Sequence, residues 1–165
     1  MSQPSEEVLG TILYAAGSPD YDPMSAIFTD RQALKVPLSR MATLVGGGSM
    51  IAGWLAGANP STFSALGGLV GMRQWGNLKK QVADKPVVSL DRSPLAPELF
   101  ASASAKLSYD QVKEVKVSKV MMSSDQILFL SAGFLHTMKV VFDGRAVEDV
   151  KNMIRATPLA PKLKQ

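Results

Sequence analysis

The sequence predicts an α+β fold: a curved antiparallel sheet or barrel, capped by one C-terminal helix and interrupted by a glycine-rich helical hairpin. Three observations lead there. β-rich runs stand at both ends of the chain, over 8–38 and 106–142. One amphipathic helical pattern follows at 145–156. Between the two β-rich regions, residues 41–72 carry no charged side chain, a gap of 32 residues holding eight of the thirteen glycines.

The elements read in order as follows. Residues 8–16 (VLGTILYAA) form a strand bounded by Gly17, Pro19 and Asp20. SPDYDP is a turn by composition. Residues 24–38 give two extended pieces around Thr29-Asp30-Arg31, and Pro37 argues against a helix. The uncharged stretch splits at Asn59-Pro60, because the residue before proline avoids the α region. Its arms run over 42–58 and from 62 onward. The second continues through Met72, Trp75, Leu78 or Lys79, and Val82 at helical spacing. Residues 84–105 are a connector, in which Ser93 as N-cap and Pro94 at the first position would start one short helix. Residues 106–122 turn into a Val/Lys strand, 126–132 form a dense apolar strand, Gly133 marks a turn and 135–142 form another strand. In the last helix Ala146, Val147, Val150, Met153 and Ile154 share one face. Pro158 stops it, and 159–165 reads as a loose basic tail.

Composition excludes much chemistry. Of 165 residues none is cysteine and one is histidine, so disulfides, thiolate metal sites and multi-histidine centres are out. His136 falls in an alternating run with no second ligand or catalytic partner nearby. Gly46-Gly47-Gly48-Ser49 lacks the Gly-Lys-Ser/Thr of a phosphate loop. Asp20, Asp22 and Asp30 lack the further ligands of a calcium loop and read as turn residues. Lys113, Lys116 and Lys119 lie along a strand, where lysines discourage edge pairing. Without interleaved exposed aromatics they do not suggest a nucleic-acid surface. No catalytic residue, metal site, cofactor or small-molecule substrate is expected, and the chain is read as a non-enzyme.

The uncharged segment carries the functional reading. Ser49, Gly53 and Gly57 stand four apart on the first arm, and Gly67 and Gly71 repeat the spacing on the second. Such stripes allow close backbone approach. Ser49, Gly53, Trp54, Gly57, Gly67, Gly71 and Trp75 are therefore the candidate membrane or packing residues. Arg40, Arg73, Lys79 and Lys80 flank them as candidate contacts to an anionic surface. Two crossings of a bilayer need about 40 residues, so a re-entrant or interfacial hairpin is the expected form. Glu6 and Glu7 precede the first apolar run without a basic n-region, so no signal peptide is read and the cytoplasmic side is expected.

Two motifs resemble those of prokaryotic pleckstrin-homology-like (PH-like) domains. Ile27-Phe28-Thr29-Asp30-Arg31 resembles their hydrophobic-Leu-Thr-Asp-x-Arg hairpin. The stretch Leu107-Ser108-Tyr109-Asp110-Gln111-Val112-Lys113-Glu114-Val115 resembles their Ile-Pro-Tyr-x-x-Ile-x-x-Val lead into a strand, with Ser108 where proline is common. The resemblance covers 8–38 and 106–157 and implies a non-catalytic, often self-associating module. The expected organisation is a discontinuous PH-like domain over 6–40 and 84–157, a hairpin insert at 41–83 and a tail at 158–165. The expected function is a membrane-associated adaptor or assembly subunit that binds lipid headgroups or a protein partner. The alternative is a soluble homo-oligomeric scaffold whose hairpins pack together.

Overall fold

A computed structural model describes residues 6–17, 21–38 and 69–164. The arm at 42–58, most of the start of the second arm, and Asp20 lie outside the described residues. The order is β1 (Glu7–Gly17), β2 (Pro23–Thr29), β3 (Gln32–Pro37), α1 (Leu69–Gln81), β4 (Val88–Ser89), β5 (Ser93–Pro94), α2 (Pro97–Ser102), β6 (Ala105–Ser108), β7 (Glu114–Lys119), β8 (Gln126–Ser131), β9 (Thr137–Phe142) and α3 (Val147–Arg155). The strands form one antiparallel sheet in the order β6-β3-β2-β1-β9-β8-β7, with β4 and β5 also on β1. Strands from both ends of the chain thus share a sheet.

Alternation along the strands sorts the apolar residues onto two faces. Ile12, Phe28, Leu128, Leu130, Val140 and Phe142 point inward and meet Val150, Met153 and Ile154 of α3. Helix α3 lies so close to β1 that a Cβ on Gly10 would fall 2.6 Å from Met153 Cγ. Any larger residue there would force the Met153 side chain to shift. The other face carries Leu13, Ile27, Leu34, Val36 and Val141, and α1 covers it with Trp75, Leu78 and Val82. Every residue of β2 is buried as a result.

Several expectations change. Ser93 and Pro94 do not open a helix: they pair with Val8 and Glu7 as β5, and α2 starts at Pro97. The cause is β1, whose first half has no β9 beside it. Buried backbone groups need partners, and the connector supplies them through β4 and β5. The run from 106 is two strands, because β6 crosses to pair with β3 before the chain turns into β7. His136 precedes β9 and is exposed. The C-terminal tail is not loose. Leu159 is fully buried in the inner core, Leu163 bridges to Val115, and Lys164 N–H donates to the Val115 carbonyl at 2.8 Å. An apolar plug and a half-satisfied edge strand hold it in place. Finally, the end of the presumed insert is part of the fold, since α1 shares a core with β1, β2 and β3.

The two motifs around Thr29 and Tyr109, about eighty residues apart, meet directly. Tyr109 Oη donates to the Thr29 carbonyl at 2.9 Å, and Tyr109 N–H donates to the Arg31 carbonyl at 3.0 Å. Thr29 Oγ1 in turn accepts from the Arg31 and Gln32 amides at 3.1 and 3.0 Å. Burial, then the carboxylates of Asp30 and Glu6, push the Tyr109 hydroxyl well above the usual tyrosine range, so it remains a donor.

Val150 and Leu159 are both wholly buried. Val150→Asp should lower stability by several kcal/mol, because it buries an unpaired charge. Leu159→Ala should cost about 2–5 kcal/mol through the cavity left behind. Urea midpoints measure both, and an unchanged midpoint for Leu159→Ala would show that the tail is not part of the core.

Candidate functional site

Helix α1 forms because Gly71, Trp75, Leu78 and Val82 recur at helical spacing and bury one stripe, while Arg73, Gly76, Asn77 and Lys80 face outward. Lys79 and Lys80 in its last turn suit the negative end of the helix. Helical hydrogen bonding continues one residue past Gln81, the Val82 N–H donating to the Leu78 carbonyl at 3.0 Å, and Arg145 then caps the end. Its guanidinium donates to the Val82 and Lys85 carbonyls at 2.7 and 3.1 Å, satisfying groups that a helix terminus leaves free.

A polar cluster fastens α1 to the β7–β8 turn. Asp125 is buried. Its Oδ2 accepts from Ser123 Oγ at 2.8 Å and from Trp75 Nε1 at 3.4 Å, and its Oδ1 forms an ion pair with Lys79. Lys79 is therefore engaged inside the molecule rather than presented to an outside anion. Trp75 is 4% exposed and packs on the sheet. Of the candidate residues, Gly71 is buried on the same stripe, whereas Arg73 and Lys80 are exposed. Ser49, Gly53, Trp54, Gly57, Gly67 and Arg40 lie outside the described residues.

Sequence reasoning missed the other constellation, at the β8–β9 turn. There Phe134 and Leu135 are 103% and 85% exposed. Gly133 has φ +128°, a conformation that strains a residue with a side chain. The Ala132 amide closes the turn on the His136 carbonyl at 2.7 Å. Leu135 and His136 line a cleft of about 650 Å³ with Lys106, Leu107, Asp110 and Lys113. The cleft opens where β6 and β7, the two outer strands of the sheet, are not joined. On the outer sheet face nearby, Phe129 stands between its cross-strand neighbours Lys116 and Lys139, and Lys139 Nζ is 5.9 Å from the ring centroid. Lys35, paired with Ala105 at the cleft's rim, is held below the usual lysine range by burial. The available signal was two large apolar residues following a glycine, where a turn normally carries polar ones.

Among the described residues, no group of three or more acidic or histidine side chains is placed to hold a metal ion. The arrangement offers cations, hydrogen-bond donors and apolar tips, which suit binding to an anionic or amphipathic surface. Compared with known protein families, with curated proteins and with solved structures, the chain finds no match.

The Asp125 cluster generates a direct expectation. Asp125→Ala should destabilise the protein by about 2–3 kcal/mol, because a buried charge-assisted network loses its acceptor. In a Trp54→Phe background, the emission of Trp75 should shift to the red as α1 loosens. Unaltered emission and stability would show that apolar packing alone holds the helix.

Proposed function

We propose that this chain is a non-catalytic, membrane-associated adaptor or assembly subunit. A PH-like module is held at the bilayer by the uncharged segment and presents its sheet surfaces to headgroups or a protein partner. The observation that carries the reading is where the segment begins and ends. Leu38 and α1 belong to the same buried cluster on one face of one sheet. The chain leaves that face and returns to it, with 30 residues between Leu38 and Leu69.

A single crossing would leave the two flanks on opposite sides of the membrane, which their shared core forbids. Two full crossings need about 40 residues. A segment that dips into the bilayer and returns, or lies in its interface, is the form compatible with both limits. No helix among the described residues is long and apolar enough to cross a membrane. The PH-like assignment is supported by the strand order, the C-terminal helix and the contact between Tyr109 and Thr29.

The test is partition of the full chain between buffer and vesicles. A Lys or Arg at mid-bilayer costs ~2.5–3.5 kcal/mol, so Gly53→Arg should reduce partition by roughly a hundredfold. Arg73→Ala combined with Lys80→Ala should reduce it less, since a basic residue near an anionic surface contributes ~1 kcal/mol. Gly53→Leu should remain bound. Wild type that stays soluble without detergent, with Gly53→Leu only breaking up an oligomer, would replace the membrane reading with the soluble scaffold.

A further inference from the structure

We propose that the β8–β9 turn is a second membrane contact, in which Phe134 and Leu135 enter an anionic bilayer surface while Lys106, Lys113 and Lys139 meet its phosphates. The inference rests on the membrane reading above and fixes which end of the domain faces the lipid.

The tip is preformed. Six consecutive cross-strand pairs, from Gln126↔Phe142 to Ser131↔Thr137, hold the hairpin beneath it. The Gly133 backbone and the Ala132–His136 hydrogen bond fix the turn itself. Two large apolar side chains are thus presented to water on a rigid support, and burying them in lipid would require little ordering.

Charge selects the partner. Lys106 and Lys113 share the cleft with Leu135, where Asp110 is the single carboxylate among the lining residues. Lys139 is exposed on the adjoining strand. Apolar tips ringed by lysines match a surface of anionic headgroups over acyl chains, where basic residues act within a Debye length of the phosphates.

Position agrees with charge. The chain leaves the described sheet after Leu38, three residues beyond Lys35, on its way to the uncharged segment, and Lys35 pairs with Ala105 at the rim of the same cleft. The end of β3 from which the chain departs and the apolar tip therefore lie at the same end of the sheet. Met121 and Met122 are also exposed apolar residues, but they lie in the β7–β8 turn at the far end of β8. That is about 17 Å along the strand, beside the Asp125 cluster. They provide the internal control.

The absence of cysteine allows single-site labelling of the full chain. Phe134→Cys and Met121→Cys would each carry an environment-sensitive fluorophore. Each would be mixed with phosphatidylcholine vesicles with and without phosphatidylglycerol. On anionic vesicles the label at 134 should shift to the blue and become shielded from aqueous iodide, while the label at 121 stays accessible. Lys106→Gln combined with Lys113→Gln should weaken binding to anionic vesicles by about thirtyfold, at low salt, and leave neutral vesicles unaffected. A chain that binds vesicles with the 134 label still aqueous would overturn the second contact and leave the anchor reading standing. Shielding at both 121 and 134 would overturn one-ended docking. Failure to bind either kind of vesicle would overturn both.

Discussion

The fold depends on satisfying both edges of β1. This strand is eleven residues long, and β2 follows it along one edge. No single strand follows the other edge. Gly17 to Ala15 pair with Val140 to Phe142 of β9, Ile12 and Thr11 with β4, and Val8 and Glu7 with β5. Register shifts relative to β2 fall between Val8 and Gly10 and between Ile12 and Ala15. Such irregularities bend a strand and increase its twist, which lets β1 follow β2 along one edge while only its last residues meet β9 on the other. The connector takes its path because it must fill the remaining edge.

The second constraint is that the β1–β3 part of the sheet is apolar on both faces. The inner face closes on α3 and on Leu159. The outer face would expose Leu13, Ile27, Leu34 and Val36 to water without α1. Burying each such side chain contributes about 1.5–3 kcal/mol, so covering this face is a large term for a domain of this size. The uncharged stretch is consequently tied at both ends to the molecule that carries it. The Arg145 cap and the Asp125 cluster secure the returning helix at two places along its length. A segment leashed in this way transmits any force on it into the outer core.

These constraints leave the molecule unequal at the two ends of β8. One end carries the β7–β8 turn, whose Asp125 and Ser123 are committed to α1 and to each other. The other carries the exposed Phe134–Leu135 tip, and the lysines around it have no carboxylate partner within the ion-pair distance among the described residues. Internal charge pairing therefore decides which of these cations stand without a carboxylate among the described residues. Lys79 stands four residues after Trp75 in a run that reads as a basic helix end, yet it pairs with a carboxylate 46 positions away. Lys113, read from the sequence as a strand residue with Lys116 and Lys119, instead precedes β7 and faces an open cleft.

By itself the sequence determined those features that a local period records. The apolar run at 8–16, the turn at Asp30-Arg31, the glycine at 133 and the stripe of Val150, Met153 and Ile154 each announce an element through nearest neighbours along the chain. So does the stripe of Gly71, Trp75, Leu78 and Val82, which specifies a helix but not what the helix covers. Tertiary structure decided the rest. The destination of α1 depends on an apolar sheet face assembled from three strands. Ser93 and Pro94 satisfy the local rules for a helix start, but an unfilled β1 edge drew them into a strand. Leu159 to Lys164 look like a frayed end until an inner cavity takes the leucine and the edge of β7 takes the backbone. The cleft beside Phe134 is built from β6, the β6–β7 turn and the β8–β9 turn. Its two lysines, Lys106 and Lys113, are near neighbours in the chain, but the β8–β9 turn comes beside them through the bond from the Lys113 amide to the Ser131 carbonyl, and that long-range pairing leaves no period in the sequence.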